Sequence, residues 1–201
     1  MPSFSRFIPP APPAVIRRLL LVGAVAAAFM VGSAPAGAAV VDREHYSGTD
    51  EYSFDDCGFT LDVVLTFYGH LVKSVDETGQ AFPTTDAFHY RGVNTNPDTG
   101  QWFVVSGHGV FHDFTATQVD GTIYEFTAVE AGQPFVIEDA EGNVIVRDRG
   151  ALRHTYLFDT LGDGQPGGEF IENTQTVVHG PHPSFDQDFC AIAAELTGVT
   201  D

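Results

Sequence analysis

The chain has 201 residues, with 9 Lys and Arg against 27 Asp and Glu, a formal charge of −18, and 43% hydrophobic residues. A field of that sign repels nucleic acid and anionic membranes, so neither is expected as a partner. No CxxC, Walker motif, GxGxxG after a strand or run of basic residues is present, which argues against thiol-redox, nucleotide-triphosphate and dinucleotide chemistry.

Residues 1–39 read as a cleaved secretory signal peptide. Arg6, Arg17 and Arg18 form a basic start with no acidic residue. The uncharged "LLLVGAVAAAFMV" (19–31) follows, and then the small residues of "GSAPAGAA". The apolar run is shorter than the roughly 20 residues of a membrane span. Cleavage after Ala38 or Ala39 leaves one domain, 40–201, secreted and free of the membrane. Three of the nine basic residues leave with the leader, so the domain carries six against 27 acidic ones, a formal −21. Its bland meaning is solubility outside the cell; its sharper one is cation binding or life at high salt.

Residues 40–52 are polar and predict a partly loose lead-in. Cys57 and Cys190 are the only cysteines, and an even number in an exported chain predicts a disulfide. "FTLDVVLTFY" (59–68) alternates: Phe59, Leu61, Val63, Leu65 and Phe67 share one face, Thr60, Asp62, Val64, Thr66 and Tyr68 the other, as in a half-buried strand. "IYEFTAV", "FVIED", "VIVRD" and "LRHTYLF" repeat the pattern. Turn signals carry Gly79, Gly100, Gly121, Gly142 and Gly164, about 21 residues apart. Further glycines near 69, 92, 107–109, 132 and 150 suggest intermediate breaks and a pitch of about 10 residues per strand and turn. The expected fold is all-β, an antiparallel up-and-down barrel or sandwich of roughly 8–10 strands. A short C-terminal helix is expected near 185–196, with Ser184 and Gln187 at capping-box spacing and Gly198 as its stop.

The chemical candidates are weak. "SGHGVFHDF" holds His108 and His112, but glycines and β-branched residues make it a strand, where four residues span about 13 Å and cannot share one ion. Of the eight histidines, His154, His179 and His182 are the other metal candidates, with "HGPHP" a local pair. "DTLGDGQPGGEF" resembles an EF-hand loop at Asp159, Asp163 and Gly164. Leu161 and Phe170 stand where ligands are needed, so it reads as an acidic turn. Ser106 beside His108 lacks the elbow and third member of a hydrolase triad. No cofactor or metal is expected, and no catalytic residue can be named.

At "DCGF", "NTNPDTG", "FDTLGDGQPGGEF" and "GPHPSFDQDFC" the chain resembles a group of small exported proteins of high-GC Gram-positive bacteria. The resemblance covers residues 50–190. It implies an exported domain bounded by a first and a last cysteine, and brings no activity or site residues with it. The expected role is non-enzymatic binding of a small apolar molecule or an extracellular component. The alternative is a secreted small-barrel enzyme of cyclase or isomerase type, or a metal-dependent hydrolase.

Overall fold

The computed structural model describes residues 39–199; apart from Ala39, the predicted signal peptide lies outside the described residues. Eight antiparallel strands form one sheet: β1 (Ala39–Phe54), β2 (Leu61–Val75), β3 (Thr84–Thr95), β4 (Trp102–Asp120), β5 (Ile123–Glu138), β6 (Val144–Arg147), β7 (Gly150–Asp159) and β8 (Glu169–His179). Their order is β1-β2-β3-β4-β5-β7-β8, with the short β6 paired to the end of β5. A 3-10 turn, Pro183–Asp186, and one helix, α1 (Phe189–Leu196), complete the domain. The all-β fold with a short C-terminal helix is thus as the alternation predicts. None of the described helices is long and apolar enough to cross a membrane.

The strands are longer than expected. Gly79, Gly100, Gly121, Gly142 and Gly164 all have φ between +53° and +86° and sit in the turns, where a left-handed residue favours glycine. Of the intermediate glycines, Gly150 alone falls at a break, opening β7 after β6; the others do not break strands. Gly69 and Gly92 lie within β2 and β3, Gly107 and Gly109 within β4, and Gly132 within β5. The true pitch is therefore about twice the expected one. The polar lead-in 40–52 is also not loose: it is most of β1, paired along β2 from Val40↔Ser74 to Phe54↔Leu61. Backbone hydrogen bonding to a well-formed neighbour outweighs its polar composition.

From Leu61 on, period 2 sorts the side chains as read; Phe59 and Thr60 precede β2 and are both half-buried. Leu61 and Val63 are buried and Leu65 and Phe67 half-buried, while Asp62, Val64, Thr66 and Tyr68 are exposed. One core gathers Leu61, Phe103, Ile137 and Val146 against Ala193 of α1, with Phe189, Ile192 and Leu196 packed around it. The second gathers Ala81, Tyr124 and Phe126, with Tyr156 and Phe158 beside them. Both cores lie on one face of the sheet, called here the helix side; the other is the far side.

A disulfide joins Cys57 to Cys190, with Cα atoms 5.1 Å apart, and ties α1 to the β1–β2 turn. The capping expectation needs correction. Asp188, not Ser184, caps the helix, its carboxylate accepting from the Cys190 and Ala191 amides. Ser184 instead donates its N–H and hydroxyl to Asp148. Gly198, φ +68°, does end the helix.

Candidate functional site

"SGHGVFHDF" is extended throughout, inside β4. His108 and His112 lie on the far side, both exposed. His108 stacks on His89, ring centroids 5.6 Å apart, and His112 Nδ1 lies 2.7 Å from the Thr85 hydroxyl. His154 is on the helix side, within reach of Thr176 (3.2 Å), and burial lowers its pKa. His179 sits at the end of β8, paired with Ala151. Asp159 and Asp163 each accept a backbone N–H two residues on, from Leu161 and Gln165, as turn-forming carboxylates do. Among the described residues no three His, Cys, Asp or Glu are grouped to hold a metal ion. Of the sequence candidates only His182 enters a buried cluster.

The helix side between the two cores is built by a pairing the sequence conceals. Tyr46 lies opposite Gly69, Phe67 opposite Gly48, Phe88 opposite Gly109 and Tyr90 opposite Gly107. A Cβ on Gly48 would stand 2.6 Å from the Phe67 ring, and one on Gly107 2.5 Å from the Tyr90 ring. Each aromatic side chain therefore lies down on its neighbour strand in space that only glycine leaves free. Phe67, Phe88 and Phe111 are half-buried and belong to neither core.

Three polar groups punctuate this aromatic face. The Tyr46 hydroxyl donates to Asp86, with contacts of 3.0 and 2.9 Å to its two oxygens. Asp113, 4% exposed, accepts from the Thr84 N–H (2.8 Å), the Thr84 hydroxyl (2.9 Å) and the Tyr156 hydroxyl (2.8 Å). The third group is the least satisfied. Tyr90 donates to the Pro134 carbonyl at 2.7 Å, and its phenol pKa is pushed up by burial and then by Glu130 and Asp148. Burial raises the Glu130 pKa, opposed by His182. His182 Nδ1 lies 3.5 Å from Asp148 Oδ2, its side chain 1% exposed, and neither ring nitrogen makes a hydrogen bond.

No protein-family model, curated protein or solved structure matches the chain. Function must therefore be argued from the site alone. Asp86 and Asp113 are occupied by their partners. Glu130, Asp148, His182 and Tyr90 together offer a carboxylate favoured in its neutral form beside an imidazole with unused nitrogens. That arrangement can bind a polar group or move a proton. Sequence reasoning missed Glu130 and Asp86 and read Asp113 only as a partner for the strand histidines, whereas it accepts from Thr84 and Tyr156; yet a signal existed. Each is an acidic residue in the apolar phase of an alternating strand, as in Tyr124, Phe126, Ala128, Glu130.

Proposed function

We propose that the protein is a secreted, non-enzymatic binding domain that holds a small, largely apolar molecule on the helix side of β1–β4. The observation that carries this reading is the row of half-buried aromatic rings over glycines, outside both cores. Ring faces offer area at low entropic cost, and Glu130 with His182 supplies the few polar contacts that orient a ligand in such sites. The disulfide suits an extracellular setting.

A second reading has one observation in its favour. The unpartnered His182 nitrogens beside Asp148 and Glu130 suit acid–base chemistry, as in a small cyclase or isomerase. Native mass spectrometry of the protein taken from culture medium, before and after solvent extraction, separates the readings. Binding predicts an extractable small molecule, and a Phe88→Glu variant that melts like the parent but carries none. A recovered mass equal to the bare polypeptide, together with failure to bind any apolar fluorescent probe, would refute it. Turnover of a bound molecule, abolished by His182→Gln, would establish the enzyme.

A further inference from the structure

A belt across the middle of the far side carries basic residues and no acidic ones, opposite in sign to the chain. Four consecutive cross-strand registers run from the one joining Thr49, Thr66, Arg91 and Ser106 to the one joining Arg43, Val72, Thr85 and His112. The first continues across β5 to Arg147, and the last to Arg153. Between them lie the registers Ser47–Tyr68–His89–His108 and His45–His70–Ala87–Val110, the latter reaching His179. None of these positions is Asp or Glu, in a domain with 27 acidic residues. The acids stand outside the belt, at Glu51 and Glu138 along one margin and at Glu125 and Glu172 beyond the other.

The belt holds four of the six basic residues that follow the leader, all arginine, and six of the eight histidines. The one lysine, Lys73, faces the helix side and is paired with Asp42 at 3.2 Å. Among the described residues no carboxylate forms an ion pair with Arg43, Arg91, Arg147 or Arg153. Arg43, Arg91 and Arg153 are exposed, as are His45, His89, His108 and His112. The rings stack in cross-strand pairs: His45 on His70 at 4.3 Å, and Tyr68 on His89 at 4.6 Å. Two belt histidines reach carboxylates of the helix side: His70 lowers the pKa of Asp86 and His112 that of Asp113, each against the larger effect of burial.

We propose that this belt docks a linear polymer of phosphodiester-linked polyol repeats at the cell surface. Four registers two residues apart span about 20 Å along the strands, and adjacent strands are about 4.8 Å apart, a track for several successive phosphates. Arginine without lysine suits phosphate, because the guanidinium fork binds its oxygens in pairs. The net negative charge does not forbid docking. At physiological salt the screening length is about 8 Å, so a phosphate on the belt senses the belt more than the distant loops. Histidine is the side chain that gains charge between pH 8 and 5, so docking strengthens on acidification.

The test uses the secreted domain and a synthetic poly(glycerol phosphate). Affinity should rise at least tenfold from pH 8 to 5.5. It should fall about 50-fold between 50 and 200 mM salt if four phosphates are engaged. Arg43→Glu/Arg91→Glu should abolish binding at an unchanged melting temperature. His89→Gln/His108→Gln should keep binding at pH 8 and lose much of the acid gain. Absence of parent binding at pH 5.5 and 50 mM salt would overturn the proposal, as would equal binding by the double arginine variant. Tighter binding of single-stranded DNA or polygalacturonate would assign the belt to a different polyanion and equally overturn it. Self-association without polymer that the arginine variant abolishes would assign the belt to a second copy of the chain.

Discussion

Replacing Asp113 by alanine should cost the domain about 3–4 kcal/mol, because this one carboxylate ties three strands. It sits on β4, takes two bonds from Thr84 at the start of β3 and one from Tyr156 on β7. Tyr156 is itself stacked on Phe126 at 5.3 Å and so belongs to the second core. Three bonds to a charged acceptor would be worth roughly 1.5–3 kcal/mol each in isolation. Burial, however, is the largest influence on Asp113 and raises its pKa, so removing the charge relieves a real cost. What remains is the penalty of leaving the Thr84 N–H and the Tyr156 hydroxyl without an acceptor, about 1–3 kcal/mol each. The sum sits at the low end of the range for breaking a buried ionic network. In a domain of this size it lowers the melting temperature by roughly 10 °C. Chemical denaturation of Asp113→Ala, Tyr156→Phe and the double variant provides the assay. The cycle should show a coupling of about 1–2 kcal/mol. A loss below about 1 kcal/mol for Asp113→Ala, or strict additivity in the cycle, would refute the view that Asp113 ties the strands.

Three further outcomes are expected. Cys57→Ser/Cys190→Ser opens a loop set by a separation of 133 residues and should lower stability by up to about 5 kcal/mol in denaturant melts; a loss under 1 kcal/mol would mean that the helix is held by its apolar contacts alone. Gly107→Ala would drive a methyl group against the Tyr90 ring and the Pro134 carbonyl, and should destabilise by about 1–3 kcal/mol, measured as a shift in denaturant midpoint; a neutral result would show that the ring has room to lift. Burial raises the pKa of Asp86, Asp113 and Glu130 in the folded state. The unfolded chain therefore ionises these groups first, and their effect on stability worsens as pH climbs from the ordinary carboxylate range through the raised values. Melts should be higher at pH 5 than at pH 7, and Glu130→Gln should shrink the difference; a parent protein less stable at pH 5 would contradict this.

The strand character, the face of each residue in β2 and the disulfide were all legible, because period 2 and cysteine parity are local signals. Strand length was not. A glycine in a turn and a glycine under a ring are the same letter, and only register distinguishes Gly100 from Gly107. The helix cap failed for a similar reason. Ser184 and Asp188 are both good caps, and the choice between them depends on Asp148, 36 residues before Ser184 in sequence, which claims Ser184. The far-side belt is the extreme case. Its arginines and histidines are scattered from Arg43 to His179 with no basic run anywhere, and cross-strand pairing alone assembles them.

Register is also where the polar groups of the helix side originate. The β4–β5 ladder slips between Ser106 and His108, between Asp113 and Thr115, and between Gln118 and Asp120. The first slip falls where Tyr90, across from Gly107, reaches the Pro134 carbonyl that the irregular β5 presents. The second inserts Phe114 directly after Asp113. A bulge twists its strand and re-aims the side chains beside it. Here it accompanies a carboxylate that reaches partners on both sides of β4, Thr84 on β3 and, beyond β5, Tyr156 on β7. The displaced Phe114 is left 56% exposed on the edge of the His112 ring. A regular ladder would have sorted side chains by parity alone, apolar to one face and polar to the other. The irregular one lets acidic residues enter the apolar phase and still find donors. Two of the three polar groups on the aromatic face stand at these slips, so the same departures from regularity that obscured the site in the sequence build it in the structure.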